Sequence, residues 1–245
     1  MKHLIYVYLS LICVSAFSQT NRTILVEYQA TLDDKSLNEG FEKIIKKDTN
    51  ALYAKTLKSI ISATEPVKLY LKVVNSESLF FQEEKMEIGN KKLNITSIIA
   101  GKGTIYTNIK SKEQLRAIDA YGKDFLIKRS TDSLVWKLHK ETKTIGQYLC
   151  YKATTVNVVV NKKGRHEEEV VAWYTPQVSV PFGPSRYCHL PSLILELQKG
   201  KLSYKAFKVV INPERIVEIT KPTKGKAITK EEFDVIGLEM SLDYN

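Results

Sequence analysis

Segment after segment of this chain alternates apolar with polar residues, and strand follows strand with short turns and few helices between them. Residues 23–32 (TILVEYQATL) form a β-rich run, and 67–74 (VKLYLKVV) carries the two-residue period of a half-buried strand. SLFFQEE (78–84), TIYTNI (104–109), FLIKRS (125–130) and SLVWKLHK (133–140) continue the series. In the last of these, Leu134, Trp136 and Leu138 share one face, while Lys137 and His139 share the other. Residues 147–160 predict a long strand with Val156, Val158 and Val160 on one side. Asn161-Lys162-Lys163-Gly164 follows as a hairpin turn, and 168–174 as its antiparallel return. LILELQ (193–198), a Lys199-Gly200 turn and SYKAFKVVI (203–211) make another hairpin. This is an antiparallel meander and not a βαβ pattern. A sheet with so many strands curls, so the expected fold is mainly β: a curved antiparallel sheet or half-open barrel.

Helices are expected at two places. Phe41, Ile44, Ile45, Leu52, Leu57, Ile60 and Ile61 recur at helical spacing and predict one or two helices over 41–62, ended by Pro66, for the sheet to wrap around. Thr229-x-x-Glu232 is a capping box that opens a short C-terminal helix, with Gly237 placed to end it. Gly101-Lys102-Gly103 reads as a bend, because two glycines that precede no helix do not make a phosphate loop.

The opening residues, MKHLIYVYLSLICVSAFSQT, place a basic pair (Lys2, His3) before an apolar stretch and an Ala16-Phe17-Ser18 cleavage site, the order of a secretory signal peptide. The expected division is a signal peptide over 1–18 and a single β-rich domain over 19–245. No later apolar run approaches the roughly 20 residues of a membrane-spanning helix. The expected destination is the periplasm or the outer-membrane periphery of a Gram-negative bacterium. Cleavage would leave two cysteines, Cys150 and Cys188. In an oxidising compartment an even number favours a disulfide, with two separate buried thiols as the alternative.

Lys+Arg 37 against Asp+Glu 27 gives a net charge of +10, concentrated in the C-terminal third at Lys199, Lys201, Lys205, Lys208, Lys221, Lys224, Lys226 and Lys230. Such a balance draws a protein to anionic surfaces. Nucleic acid is not an expected partner, because no aromatic residues interleave with those lysines as a stacking platform requires.

From Trp136 the chain reads WKLHKETKTIGQYLCYKATT, and later AWYTPQVSVPFGPSRYCHLPSLILEL. This resembles the GLPGLI family of secreted Bacteroidota proteins. Trp136, Cys150, Lys152, Trp173, Gly183, Pro184, Leu190 and Pro191 fall on its signature. One departure stands in the motif itself: His189-Leu190-Pro191-Ser192 replaces Gly-Leu-Pro-Gly. If those glycines serve a positive-φ turn, His189 and Ser192 must tolerate it at a cost. The resemblance implies an exported, mostly β protein without an agreed activity. It also implies an envelope accessory role near outer-membrane transporters.

No nucleophile elbow, zinc-protease helix or Walker loop is present. Cys150, His166, Cys188 and His189 lack the spacing of a zinc site, and Cys188 with His189 is the only local thiol–base pair. No enzyme activity, cofactor or metal is therefore expected. The expected role is binding: contact with an outer-membrane transporter or envelope assembly protein through the Pro-rich loop at 176–191, where Pro181, Phe182, Arg186, Tyr187 and His189 are the candidate recognition residues. The alternative is a carrier holding a lipid or other apolar ligand inside the curved sheet; a hydrolase or thiol enzyme is the third reading. Asp132-Ser133-Leu134 is similar to an O-glycosylation site of Bacteroidota, which marks Ser133 for modification.

Overall fold

The structure is a computed structural model that describes residues 22–33, 64–82, 94–161, 164–215 and 217–242, together with Glu39, Glu42, Leu52 and Lys55. The proposed signal peptide lies outside the described residues. So does most of the helix predicted over 41–62, of which Glu42, Leu52 and Lys55 are helical.

The alternating segments become strands: β1 (Thr23–Leu32), β2 (Val67–Val74), β3 (Glu77–Gln82), β4 (Thr104–Asn108), β5 (Glu113–Ala120) and β6 (Lys123–Ser130). Then come β7 (Lys137–Ile145), β8 (Tyr148–Asn161), β9 (Gly164–Thr175), β10 (Leu193–Lys199), β11 (Leu202–Ile211) and β12 (Lys226–Thr229). Helix α1 (Ile95–Ala100) lies between β3 and β4, and α2 (Lys230–Leu242) follows β12.

All of these strands join one sheet in the order β12-β6-β5-β4-β3-β2-β1-β11-β10-β9-β8-β7. The sheet is mainly antiparallel and open, as expected from the sequence. β1 sits at its middle, paired with β2 on one side and β11 on the other. Its Ile24, Val26, Tyr28 and Ala30 point inward and are buried, and the intervening residues face out. The buried Tyr28 hydroxyl donates to the Ile194 carbonyl at 2.5 Å, tying β1 to β10 across the intervening β11.

Several elements differ from the expectation. β5, α1 and the four-residue β12, which pairs parallel to β6, were not foreseen. SLVWKLHK is a strand only from Lys137; Thr131–Ser133 is a 3-10 turn, capped by the Ser130 side chain accepting from the Asp132 amide at 3.2 Å. In β8 the valine face is the outer one: Val156 and Val158 are exposed, whereas Thr155 and Asn157 are buried. At α2 the capping box forms, with the Thr229 amide donating to Glu232 (2.7 Å) and the Glu232 amide to Thr229 (3.2 Å). The helix nonetheless runs through Gly237 to Leu242, because Gly237 keeps a helical φ.

The Pro-rich loop between β9 and β10 folds into the core. Val178, Val180, Phe182, Tyr187, Cys188 and Leu190 are all buried. Its backbone is held by Leu193 N donating to Val178 O (2.9 Å), Ile194 N to Phe182 O (3.0 Å) and His189 N to Pro181 O (3.0 Å). Gly183 sits against Ile194: a Cβ there would lie 2.6 Å from Ile194 Cδ1 and 2.7 Å from its Cβ. The φ of Gly183 is not positive, so the glycine is required for space. Gly183→Ala is expected to cost about 1–3 kcal/mol by forcing the loop off β10, read as a lower urea midpoint at unchanged slope.

Candidate functional site

Among the strongest concavities is a cavity of about 280 Å³ whose walls come from both halves of the sheet. β4, β5 and β6 supply one wall, and β8, β10 and β11 the other, so the sheet must curl to bring them together. The gap is completed by the end of α1, the Ser185–Tyr187 turn and the start of α2.

Arginine dominates this cavity. On β5 the two-residue period puts Gln114 and Arg116 on the inner face, and on β6 it does the same for Ile127 and Arg129. Arg186 enters from the loop and Lys199 from the end of β10. Arg186 Nη2 donates to Asn157 Oδ1 at 2.8 Å, its guanidinium lies 5.0 Å from the Tyr187 ring centre, and its carbonyl accepts from Gln114 Nε2 at 3.2 Å. Arg116 Nη2 donates to the Lys102 carbonyl at 3.0 Å, while its Nε is buried without a partner. The ion pairs at the cavity are Lys199 with Glu168, at 3.9 Å, and Lys230 with Asp234. Among the described residues no ion pair includes Arg116, Arg129 or Arg186.

The electrostatics follow from this crowding. Burial, then repulsion from Arg186 and Arg116, pushes Arg129 down to about 10, partly countered by Asp234 and Glu231. Burial also lowers Arg116 and Lys199. All three remain cations at neutral pH. Partly desolvated like charges without carboxylate partners are unfavourable, and an anion among them would relieve that cost. The apolar part of the lining, with Ile105, Ile127, Leu202 and Phe233, gives the cavity a second chemical character.

Of the residues singled out from the sequence, Arg186 and Tyr187 of the recognition loop and Lys199 and Lys230 of the basic set line this cavity. Cys150 and Cys188 are free buried thiols, so the expected disulfide is not formed. Burial pushes the thiols up to about 11 and about 12 respectively, which leaves neither ready to act as a nucleophile. Trp136 Nε1 donates to the Cys188 carbonyl at 2.8 Å, which fixes the loop from the outside. Trp173 packs under Lys143, whose Nζ is 4.4 Å from its ring centre, and Lys152 pairs with Glu141 at 3.2 Å. Gly183, Pro184 and Leu190 are buried packing residues, as is Phe182. Pro181 is half-buried, and Pro191 and His189 are exposed, so these remain at the surface of the proposed recognition loop. Ser133 is exposed on its 3-10 turn. The C-terminal lysines are largely spoken for: Lys208 pairs with Glu27, Lys221 with Glu113 and Lys224 with Asp124.

His189 has φ +70°, the conformation that the glycine of the resembled pattern would adopt freely. Ser192 is not in that region. The substitution therefore strains one of the two positions.

The open, mainly antiparallel sheet and the arginine-lined cavity define a β-sheet protein with a concave, cation-lined face. Comparison with known proteins gives a family match over part of it. A family model described as a protein of unknown function, Porph_ging, matches residues 136–169 and 160–196, together 61 of the 245 residues. These span β7 to β10 and include Arg186, but not Arg116 or Arg129. No curated protein matches the chain. Two solved structures of PNGF-II, in space groups C2 and P21, are similar in fold, with TM-scores of 0.52 and 0.50 at 17% and 15% identity. Each match covers 88% of this chain but 32% and 33% of the solved chain, so the chain spans about a third of their length. At that identity the likeness is one of fold alone.

Two outcomes are expected. His189→Gly should raise stability by about 1 kcal/mol by removing the left-handed strain, measured by urea unfolding. Both thiols have folded values raised above the ordinary 9.0, so their contribution is full below pH 9 and is lost as pH rises towards 11. The urea midpoint should fall between pH 9 and 10, and Cys150→Ala/Cys188→Ala should flatten that fall.

Proposed function

We propose that this is an exported binding protein of the bacterial envelope that holds an anionic ligand in the cavity of its curved sheet. The observation that supports it is the convergence of Arg116, Arg129 and Arg186 on one cavity, with no ion pair to any of them among the described residues. A guanidinium offers five donors in a fixed fork suited to oxyanions. Three such groups held half-buried on rigid strands and a fixed loop are arranged for recognition. The proposed role is binding, since the cavity is lined by cations and apolar side chains and the two thiols are buried with raised pKa values.

The envelope setting rests on the signal-peptide order of residues 1–18 and on the GLPGLI resemblance. Within it, the accessory role is that of a carrier that presents its ligand to an outer-membrane transporter or assembly protein. Pro181, His189 and Pro191, which lie at the surface of the loop at 176–191 together with Pro176, Gln177 and Ser179, are available for that contact.

Native mass spectrometry of the tagged protein recovered from the envelope tests this reading. An anionic small molecule is expected on the wild type and should be lost from the Arg116→Gln/Arg129→Gln variant. Equal ligand occupancy in both proteins would remove the cavity from the function.

A further inference from the structure

Resting on the anion-binding reading, we infer that the cavity takes a monoester of a tetrahedral oxyanion, a phosphate or sulfate ester, with the ester oxygens among Arg116, Arg129 and Arg186 and the organic group against Phe233 and Ile127. Three features of the cavity select this class over a carboxylate.

The first is donor number. A carboxylate has two oxygens and is satisfied by one guanidinium fork, bidentate and in plane. Here three forks and the Lys199 ammonium converge, and few of their donors are used. Arg186 spends Nη2 on Asn157, Arg116 spends Nη2 on the Lys102 carbonyl, and Arg116 Nε is buried without a partner. Arg129 makes no ion pair. A tetrahedral group presents three non-bridging oxygens in different directions and so can meet forks that arrive from β5, β6 and the loop.

The second is charge. The cavity holds five cations, Arg116, Arg129, Arg186, Lys199 and Lys230, against the carboxylates of Glu168, Asp234 and Glu231 around it. The remaining charge of about two is matched more closely by a phosphoryl group of charge about −1.5 to −2 than by a single carboxylate.

The third is size and lining. A volume of about 280 Å³ corresponds to roughly nine water molecules at about 30 Å³ each, well beyond a bare oxyanion. The surplus is bordered by Ile105, Ile127, Leu202 and Phe233, which have nothing to offer an ion but suit an apolar or aromatic body. Phe233 is itself held edge-on by Phe125 at 5.5 Å, so this wall is fixed.

Isothermal titration of the full chain at constant ionic strength with phenyl phosphate, phenyl sulfate, inorganic phosphate and phenylacetate tests the inference. Phenyl phosphate or phenyl sulfate should bind at least tenfold more tightly than phenylacetate, and the tighter of the two identifies the ester. Phenyl phosphate should also exceed inorganic phosphate, and Phe233→Leu should narrow that ratio. Arg129→Gln should weaken the ester at least tenfold. Arg129→Lys keeps the charge without the fork and should fall between, which separates recognition from misfolding. Asp234→Asn, which removes the lining carboxylate that pairs with Lys230, should strengthen binding. Phenylacetate binding as tightly as the esters would overturn the ester assignment and leave an anion-binding cavity. Binding by none of the four probes would overturn the anion-binding reading as well.

Discussion

Among the described residues, the strand ladder joins the two halves of the sheet through β1. On one side it carries β2 to β6 and β12, and on the other β11 back to β7. Its inward residues are buried, and the Tyr28 hydroxyl reaches the Ile194 carbonyl. That strand links the two walls of the cavity. Arg116 and Arg129 come from one half and Arg186 and Lys199 from the other, so their convergence depends on a pairing made more than thirty residues upstream of the nearest of the strands that bear them.

Within that frame the loop between β9 and β10 is part of the interior. A segment rich in proline looks like surface, but its apolar residues are buried, and its Val178 and Phe182 carbonyls accept from the Leu193 and Ile194 amides of the strand that follows. This places Arg186 with little freedom, since Asn157 and the Tyr187 ring hold its guanidinium while Gln114 holds its carbonyl. The cost of keeping three cations half-buried is borne by the rest of the core, a pattern common at sites where stability is exchanged for function.

Much of the sheet was legible because alternation is a local signal. The pairing of Asn161 with Gly164, the hairpin at 199–200 and the capping box at Thr229 each formed where the residues indicated, the turn residues 162–163 lying outside the described residues. The elements that escaped are those that long-range contacts decide. β12 is four residues beside a lysine-rich connector and exists because β6 offers it an edge. α1 is six residues rich in isoleucine, a composition that reads as strand. The cavity escaped for the same reason. Alternation puts Arg116 with Gln114 on one face and Arg129 with Ile127 on another, but no local signal says which face turns inward. Val156 and Val158 make the point in reverse, being apolar residues that ended outside because Asn157 was needed within.

An open sheet has two borders, and each is a surface on which a second copy could continue the ladder. The β12 border is only four residues long and runs directly into α2. The β7 border is longer, yet its pairing with β8 is interrupted between Leu138 and Thr142, and its sequence KLHKETKTI carries charge at almost every turn. A kinked, lysine-bearing edge is a poor template for another strand. The same lysine excess that gives the protein its positive balance therefore works against strand addition at this border, beside the strands that wall the cavity.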